Sequence, residues 1–141
     1  MMQERSVSTV RVAKGLTAEE WRVVRGARVN ILLVDPDNLA AMVVDALWPD
    51  LCQPIVVWHS ASGQALPPVG CAGTLILQDV DTLLRDDQRA MCDWLEVAAG
   101  RTRVVSTTRQ PLFPLVEAGT FEESLYYRLN ILCLEVTEWG S

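Results

Sequence analysis

At 141 residues, half of them hydrophobic, the chain is the size of one domain and carries enough apolar material to bury a core. None of its apolar runs reaches the roughly 18 residues of a membrane span, and Met1-Met2-Gln3-Glu4-Arg5 leads into no leader-like apolar stretch, so a soluble, cytoplasmic protein is expected. A net charge of −6, with Lys14 the only lysine, excludes a self-sufficient nucleic-acid-binding domain, which needs several cationic phosphate contacts.

The elements follow in chain order. Val7 to Val12 alternates enough for a short strand or an extended arm. Thr17-Ala18-Glu19-Glu20-Trp21 reads as an N-cap with acidic first-turn positions, hence a short helix. Asn30 to Val34 is a compact apolar run, a buried parallel strand, closed by the turn residues Asp35-Pro36-Asp37-Asn38. Leu39 to Leu47 reads as a helix stopped by Pro49. Pro54 to Trp58 is the next strand, and a Gly/Pro/Ser-rich loop runs from His59 to Gly73.

Leu75 to Leu77 makes a strand and Asp86 to Ala99 a helix that packs through Ala90, Met91, Trp94, Leu95 and Val97. Arg103 to Thr107 is a further strand. Helical stretches at Phe113 to Ala118 and Phe121 to Arg128 precede a last strand, Ile131 to Val136. Strands alternating with helices predict a three-layer α/β/α sandwich around a mostly parallel, five-stranded sheet. The expected organisation is an arm and short helix over 1–28, an α/β domain over 29–136 and a tail over 137–141. The cysteines Cys52, Cys71, Cys92 and Cys133 form no C-x-x-C pair, so no zinc site is expected. His59, the only histidine, reads as a surface-loop residue without a nucleophile elbow near it, and Trp139 as a candidate interface anchor.

Two blocks carry a family resemblance. Thr120-Phe121-Glu122-Glu123-Ser124-Leu125-Tyr126-Tyr127-Arg128-Leu129-Asn130 resembles the F-R-x-D-L-Y-Y-R-L-N signature of the AAA+ ATPase domain in sigma-54-dependent transcription activators. Gly73-Thr74-Leu75-Ile76-Leu77-Gln78-Asp79-Val80 is similar to that family's Walker B strand, G-T-L-F-L-D-E-I. Leu112, Leu115, Val116 and Gly119 extend the first match without a gap. The resemblance covers Val29 to Val136 and implies a P-loop NTPase, AAA+-like fold.

It also implies a nucleotide site, and there the letters differ. The family's G-E-S-G-T-G-K-E lies over Val34 to Ala41, which has no glycine, places Ala40 at the phosphate-binding lysine, and offers Asp35 and Asp37 where a triphosphate would lie. The Mg-ligating Asp of Walker B falls on Gln78 and the catalytic Glu on Asp79, one methylene shorter. The sensor position falls on Thr108, followed by Arg109. Of the family's two arginines that reach a neighbouring subunit's nucleotide, the first falls on Glu122 and the second is kept as Arg128.

The family's sigma-54-contacting loop has no counterpart between His59 and Gly73, and the sequence ends at Ser141, before the family's helical lid. These differences imply a pseudo-ATPase that binds neither ATP nor Mg²⁺ and acts through protein contacts, with an AAA+ activator, the transcription machinery or itself. Arg128, Phe121, Tyr126 and Tyr127 are the candidate contact residues. Two other readings stand beside it: a residual ATP-binding protein or slow ATPase, and a structural module that reuses the fold.

Overall fold

A computed structural model describes residues 8–13, 22, 29–36, 40–70 and 73–137. Lys14, the helix expected at Thr17 to Trp21, Asp37-Asn38-Leu39, Cys71 and Trp139 lie outside them. Six strands form one sheet: β1 (Ser8–Ala13), β2 (Ile31–Val34), β3 (Ile55–His59), β4 (Thr74–Gln78), β5 (Arg103–Thr108) and β6 (Leu132–Thr137), in the order β1-β6-β2-β5-β4-β3. Every pairing is parallel. The five expected strands are all present. Ser8–Ala13, read as a strand or an arm, is a strand that pairs with β6 in register Ser8↔Leu132 to Ala13↔Thr137.

The α-helices delimited among the described residues are α1 (Ala40–Leu47), α2 (Arg85–Ala98), α3 (Phe113–Glu117) and α4 (Glu123–Leu129). Pro49 does not end α1 abruptly; it sits inside a single 3-10 turn, Trp48–Asp50, at a first-turn position where its missing N–H costs nothing.

Strand periodicity divides the core. Ile31 and Leu33 of β2 join Ile76, Val105, Leu132 and Leu134 on one face, where Val43 and Leu47 of α1 pack. Leu32 and Val34 join Leu75, Leu77 and Val104 on the other, under Met91 and Leu95 of α2 and Leu125, Tyr126 and Leu129 of α4. Successive side chains of one strand thus supply both cores, which is why the strands read as unbroken apolar runs.

Phe121 and Tyr126, expected as contact residues, are instead core: they are 3% and 1% exposed. The Tyr126 ring packs on Phe113 at 5.7 Å, and its hydroxyl accepts a 2.8 Å hydrogen bond from Asn130 Nδ2. These aromatics hold α4 to the sheet, so their match to the family pattern reports packing. Tyr127, next in the chain, points outward at 42% exposure.

Among the described residues, the link from β3 to β4 contains no α-helix. Trp58 Nε1 donates to Gln64 O at 2.8 Å and Trp94 Nε1 to Pro67 O at 2.7 Å, fastening the loop to the sheet and to α2. At its end a Cβ on Gly73 would stand 2.7 Å from Gln53 O, so only glycine fits.

The segment between α3 and α4 is fixed by one buried side chain. Gln88 of α2 donates through Nε2 to Leu83 O (3.0 Å) and Thr120 O (3.1 Å) and accepts the Glu122 N–H at Oε1 (2.7 Å). Gln88→Ala strands these backbone groups, and chemical denaturation is expected to read a loss of about 2–3 kcal/mol.

Candidate functional site

In a parallel sheet the strand ends with carboxyl termini collect the loops that bind ligands. Here β2, β4 and β5 bring Asp35, Gln78, Asp79, Thr107 and Thr108 to that edge. Asp35 follows β2, is buried, and donates its N–H to Thr108 O at 2.7 Å. Ala40 opens α1, the helix that follows. Beside α1 runs a groove of about 440 Å³ lined by Asp35, Asp45, Trp48, Gln78, Asp79 and Thr107, with Val57 and Ile76 also contributing.

Asp79 is the most constrained of these residues. It holds φ 54° and ψ 54°, the left-handed region, and is the only non-glycine residue with positive φ among those described. That conformation costs a non-glycine residue about 1–2 kcal/mol, although Asp tolerates it better than most. Four contacts impose it. The Asp79 N–H donates to Thr107 Oγ1 (3.0 Å), its carbonyl accepts from Thr82 N (3.0 Å) and Thr82 Oγ1 (2.6 Å), and its Oδ2 meets His59 Nε2 at 3.0 Å.

His59 is therefore part of the site and not a bystander in a loop. It ends β3 in register with Gln78, which places its ring beside Asp79. The Ala61 N–H donates to His59 Nδ1 at 2.9 Å, so Nδ1 is the acceptor and Nε2 carries the proton given to Asp79. With both nitrogens engaged, this imidazole serves as an orienting partner for the carboxylate; it has no lone pair left for general-base work.

Thr108, the expected sensor, is fully buried and folds back on its own loop, donating to Gln110 O at 2.7 Å. Thr107 lines the groove in its place, because neighbouring strand residues face opposite sides. Asp81 secures the same loop by accepting from Arg109 N at 3.3 Å and Gln110 Nε2 at 3.4 Å.

Glu122 and Arg128 lie elsewhere. Glu122 occupies the N-cap position of α4 without a side-chain cap, and its carboxylate is held instead by Arg85 Nη1 at 3.0 Å and Arg89 Nε at 3.5 Å. The Arg85 guanidinium also donates to the carbonyl of Gly119, whose φ of 82° requires glycine. Arg128, in the last turn of α4, stands at the opposite end of the sheet from Asp79. Its carbonyl accepts from Asn30 Nδ2 at 2.9 Å, just before β2 begins, and its side chain lines a hollow with Val29 and Tyr127. Within one chain, Asp79 and Arg128 cannot act on one ligand.

Residues 56–139, more than half of the chain, match the model of the sigma-54 interaction domain. The chain belongs to that family. No curated protein sequence matches it. Among solved structures, NtrX from Brucella abortus superposes with a TM-score of 0.67 at 20% identity over 89% of this chain and 38% of NtrX. The NtrX complex with ADP gives 0.65 at 20% over 88% and 37%. The P-loop NTPase domain of the sigma-54 transport activator from E. coli gives 0.61 at 15% over 85% of this chain and 96% of that domain. These likenesses establish a P-loop NTPase, AAA+-like fold, and the chain spans little more than a third of NtrX's length.

The described groove at this member's carboxyl edge is acidic. A triphosphate needs cations and free backbone N–H groups. The described lining residues offer three carboxylates and no lysine or arginine, Asp35 N–H is given to Thr108, and Asp79 N–H is given to Thr107. Among the described residues no group of three or more His, Cys, Asp or Glu side chains is arranged to hold a metal.

Two measurements test this geometry. His59→Ala and Asp79→Ala in a double-mutant cycle are expected to show a coupling of about 0.5–1 kcal/mol, the size of a part-exposed pair. In the His59→Ala background, Asp79→Gly is expected to raise stability by up to about 1 kcal/mol, because glycine relieves the left-handed strain. At the start of α4, the hydrogen bond from Arg85 lowers the Glu122 pKa below its ordinary 4.5, opposed by desolvation and helped by the charges of Arg85 and Arg89. A lowered folded pKa means the stabilisation is complete above 4.5 and is lost as pH falls through the folded value. Glu122→Gln is therefore expected to flatten the acid limb of the stability–pH curve and leave its neutral region with the same shape.

Proposed function

We propose that this sigma-54 interaction domain is non-catalytic and acts by protein–protein contact in the regulation of transcription. The observation that carries the reading is the state of Asp79. At the position of the family's catalytic Glu, the backbone of Asp79 lies in the left-handed region and its carboxylate is bonded to His59. An acid so engaged does not orient a water over a phosphate, and the groove around it repels phosphate. The alanine at the P-loop lysine position, Ala40, supports the same conclusion.

With hydrolysis set aside, what the chain offers a partner is surface. Tyr127 and Arg128 sit together on the outer side of α4, next to the exposed Val29. A complete activator subunit or the transcription machinery is the partner class that the family implies.

Titration calorimetry with Mg-ATP is expected to show no binding tighter than about 1 mM. Mixing the protein with a complete sigma-54 activator from the same cell is expected to change that activator's ATPase rate and assembly, and Arg128→Ala to weaken the change. An activator unaffected in both respects overturns the reading. Tight Mg-ATP binding that disappears in Asp79→Ala supports a residual ATPase in its place.

A further inference from the structure

Strand β3 ends the sheet: β4 is its one neighbour, and among the described residues nothing pairs with its other side. Which backbone groups face outward follows from the register. Ile55 lies opposite Thr74, and the Thr74 N–H is given to Pro54 O at 3.2 Å. In a parallel pair the residues of an edge strand that bond to the neighbour alternate with those that do not, so Pro54, Val56 and Trp58 face β4. The N–H and C=O groups of Ile55 and Val57 therefore point away from the sheet.

Proteins commonly blunt such an edge with charged side chains, proline or a bulge. Ile55–His59 contains no Lys, Arg, Asp, Glu or Pro, and its register with β4 runs unbroken. Val57 is 44% exposed. It lines the groove along α1 together with Asp45 and Trp48, and the Trp48 indole is also exposed. Asp45 is exposed and holds no ion pair among the described residues. No lysine or arginine is among the groove's described lining residues. Arg101, Arg103 and Arg128 line the hollows at the other end, by the amino ends of the strands.

A bonding edge, an uncovered valine and an unpaired carboxylate thus adjoin. We propose that β3 takes an extended segment of a partner protein as a seventh strand, with lysines at alternate positions on the face toward α1. Backbone hydrogen bonds to Ile55 and Val57 supply the affinity, and the side chains that alternate onto the α1 face supply the choice of partner. A lysine there lays its methylenes across Val57 and the Trp48 indole and brings its ammonium to Asp45. A second copy of β3 fits the backbone equally well but not the charge. In an antiparallel pair about a two-fold axis at Val57, both α1 faces lie on one side, and Asp45 of each copy adds to the same acidic surface. The partner is thus a different protein with a basic, strand-forming segment. The inference rests on the reading that this chain works through protein contacts, and it gives one such contact a place and a chemistry apart from Tyr127 and Arg128.

Fluorescence anisotropy of a labelled peptide alternating lysine with valine, titrated with the full chain, tests it. The peptide is expected to bind with a Kd below about 1 mM. Glutamate in place of lysine, or Asp45→Lys in the protein, is expected to weaken binding by about tenfold or more. Val57→Pro removes an outward N–H without taking a hydrogen bond from β4, and a loss of about the same size is expected. Two N-methylated peptides, one for each alternate set of residues, make the test independent of how the variants fold. Methylation of the set that faces β3 is expected to abolish binding, and methylation of the outer set to leave it. Binding that is absent at about 1 mM, or indifferent either to the charge of the peptide or to both methylation patterns, overturns the proposal. So does a wild-type chain that dimerises in sedimentation and loses the dimer in Val57→Pro, since a second copy then occupies β3. None of these results touches the action on a complete activator, which the mixing assay decides separately.

Discussion

An all-parallel sheet must be covered on both faces, and this constraint shapes the whole molecule. Strand β2 lies between β5 and β6 and sends Ile31 and Leu33 into one core and Leu32 and Val34 into the other. The face under α2, α3 and α4 is well supplied with helix. On the opposite face, among the described residues, Val43 and Leu47 of α1 complete the core, and Val57 on edge strand β3 stays 44% exposed.

The same carboxyl edge is held together by its own hydrogen bonds. A phosphate-binding edge needs positive charge and unspent N–H donors, and here the N–H groups of Asp35 and Asp79 are given to neighbouring strands. Thr107, Thr82 and His59 absorb the polar groups of Asp79, and Thr108 absorbs the N–H of Asp35. At the start of α4, Glu122 is likewise bound within the chain, by Arg85 and Arg89.

The sheet was legible in the sequence because buried parallel strands are short apolar runs bounded by turn residues, and five of them stood clear. The edge strand Ser8–Ala13 was ambiguous, since it mixes Ser, Thr and Arg with valine and its pairing with β6 spans most of the chain. The conserved-looking aromatics misled for a related reason. A pattern match does not distinguish a residue kept for packing from one kept for contact, and Phe121 and Tyr126 proved to be core while Tyr127 did not.

What the sequence by itself determined was the order of elements and the family, because these are local patterns and identities at fixed spacing. The partners of the residues at the carboxyl edge were decided only by tertiary structure. His59 and Asp79 are twenty positions apart and meet because β3 and β4 are parallel and in register. Arg128 and Asp79 belong to one motif set yet stand at opposite ends of the sheet, because a helix and a strand interpose their full lengths. The separation of acidic and basic ends arises in the same way: strand direction, which no local run of residues encodes, sets which charges share a surface.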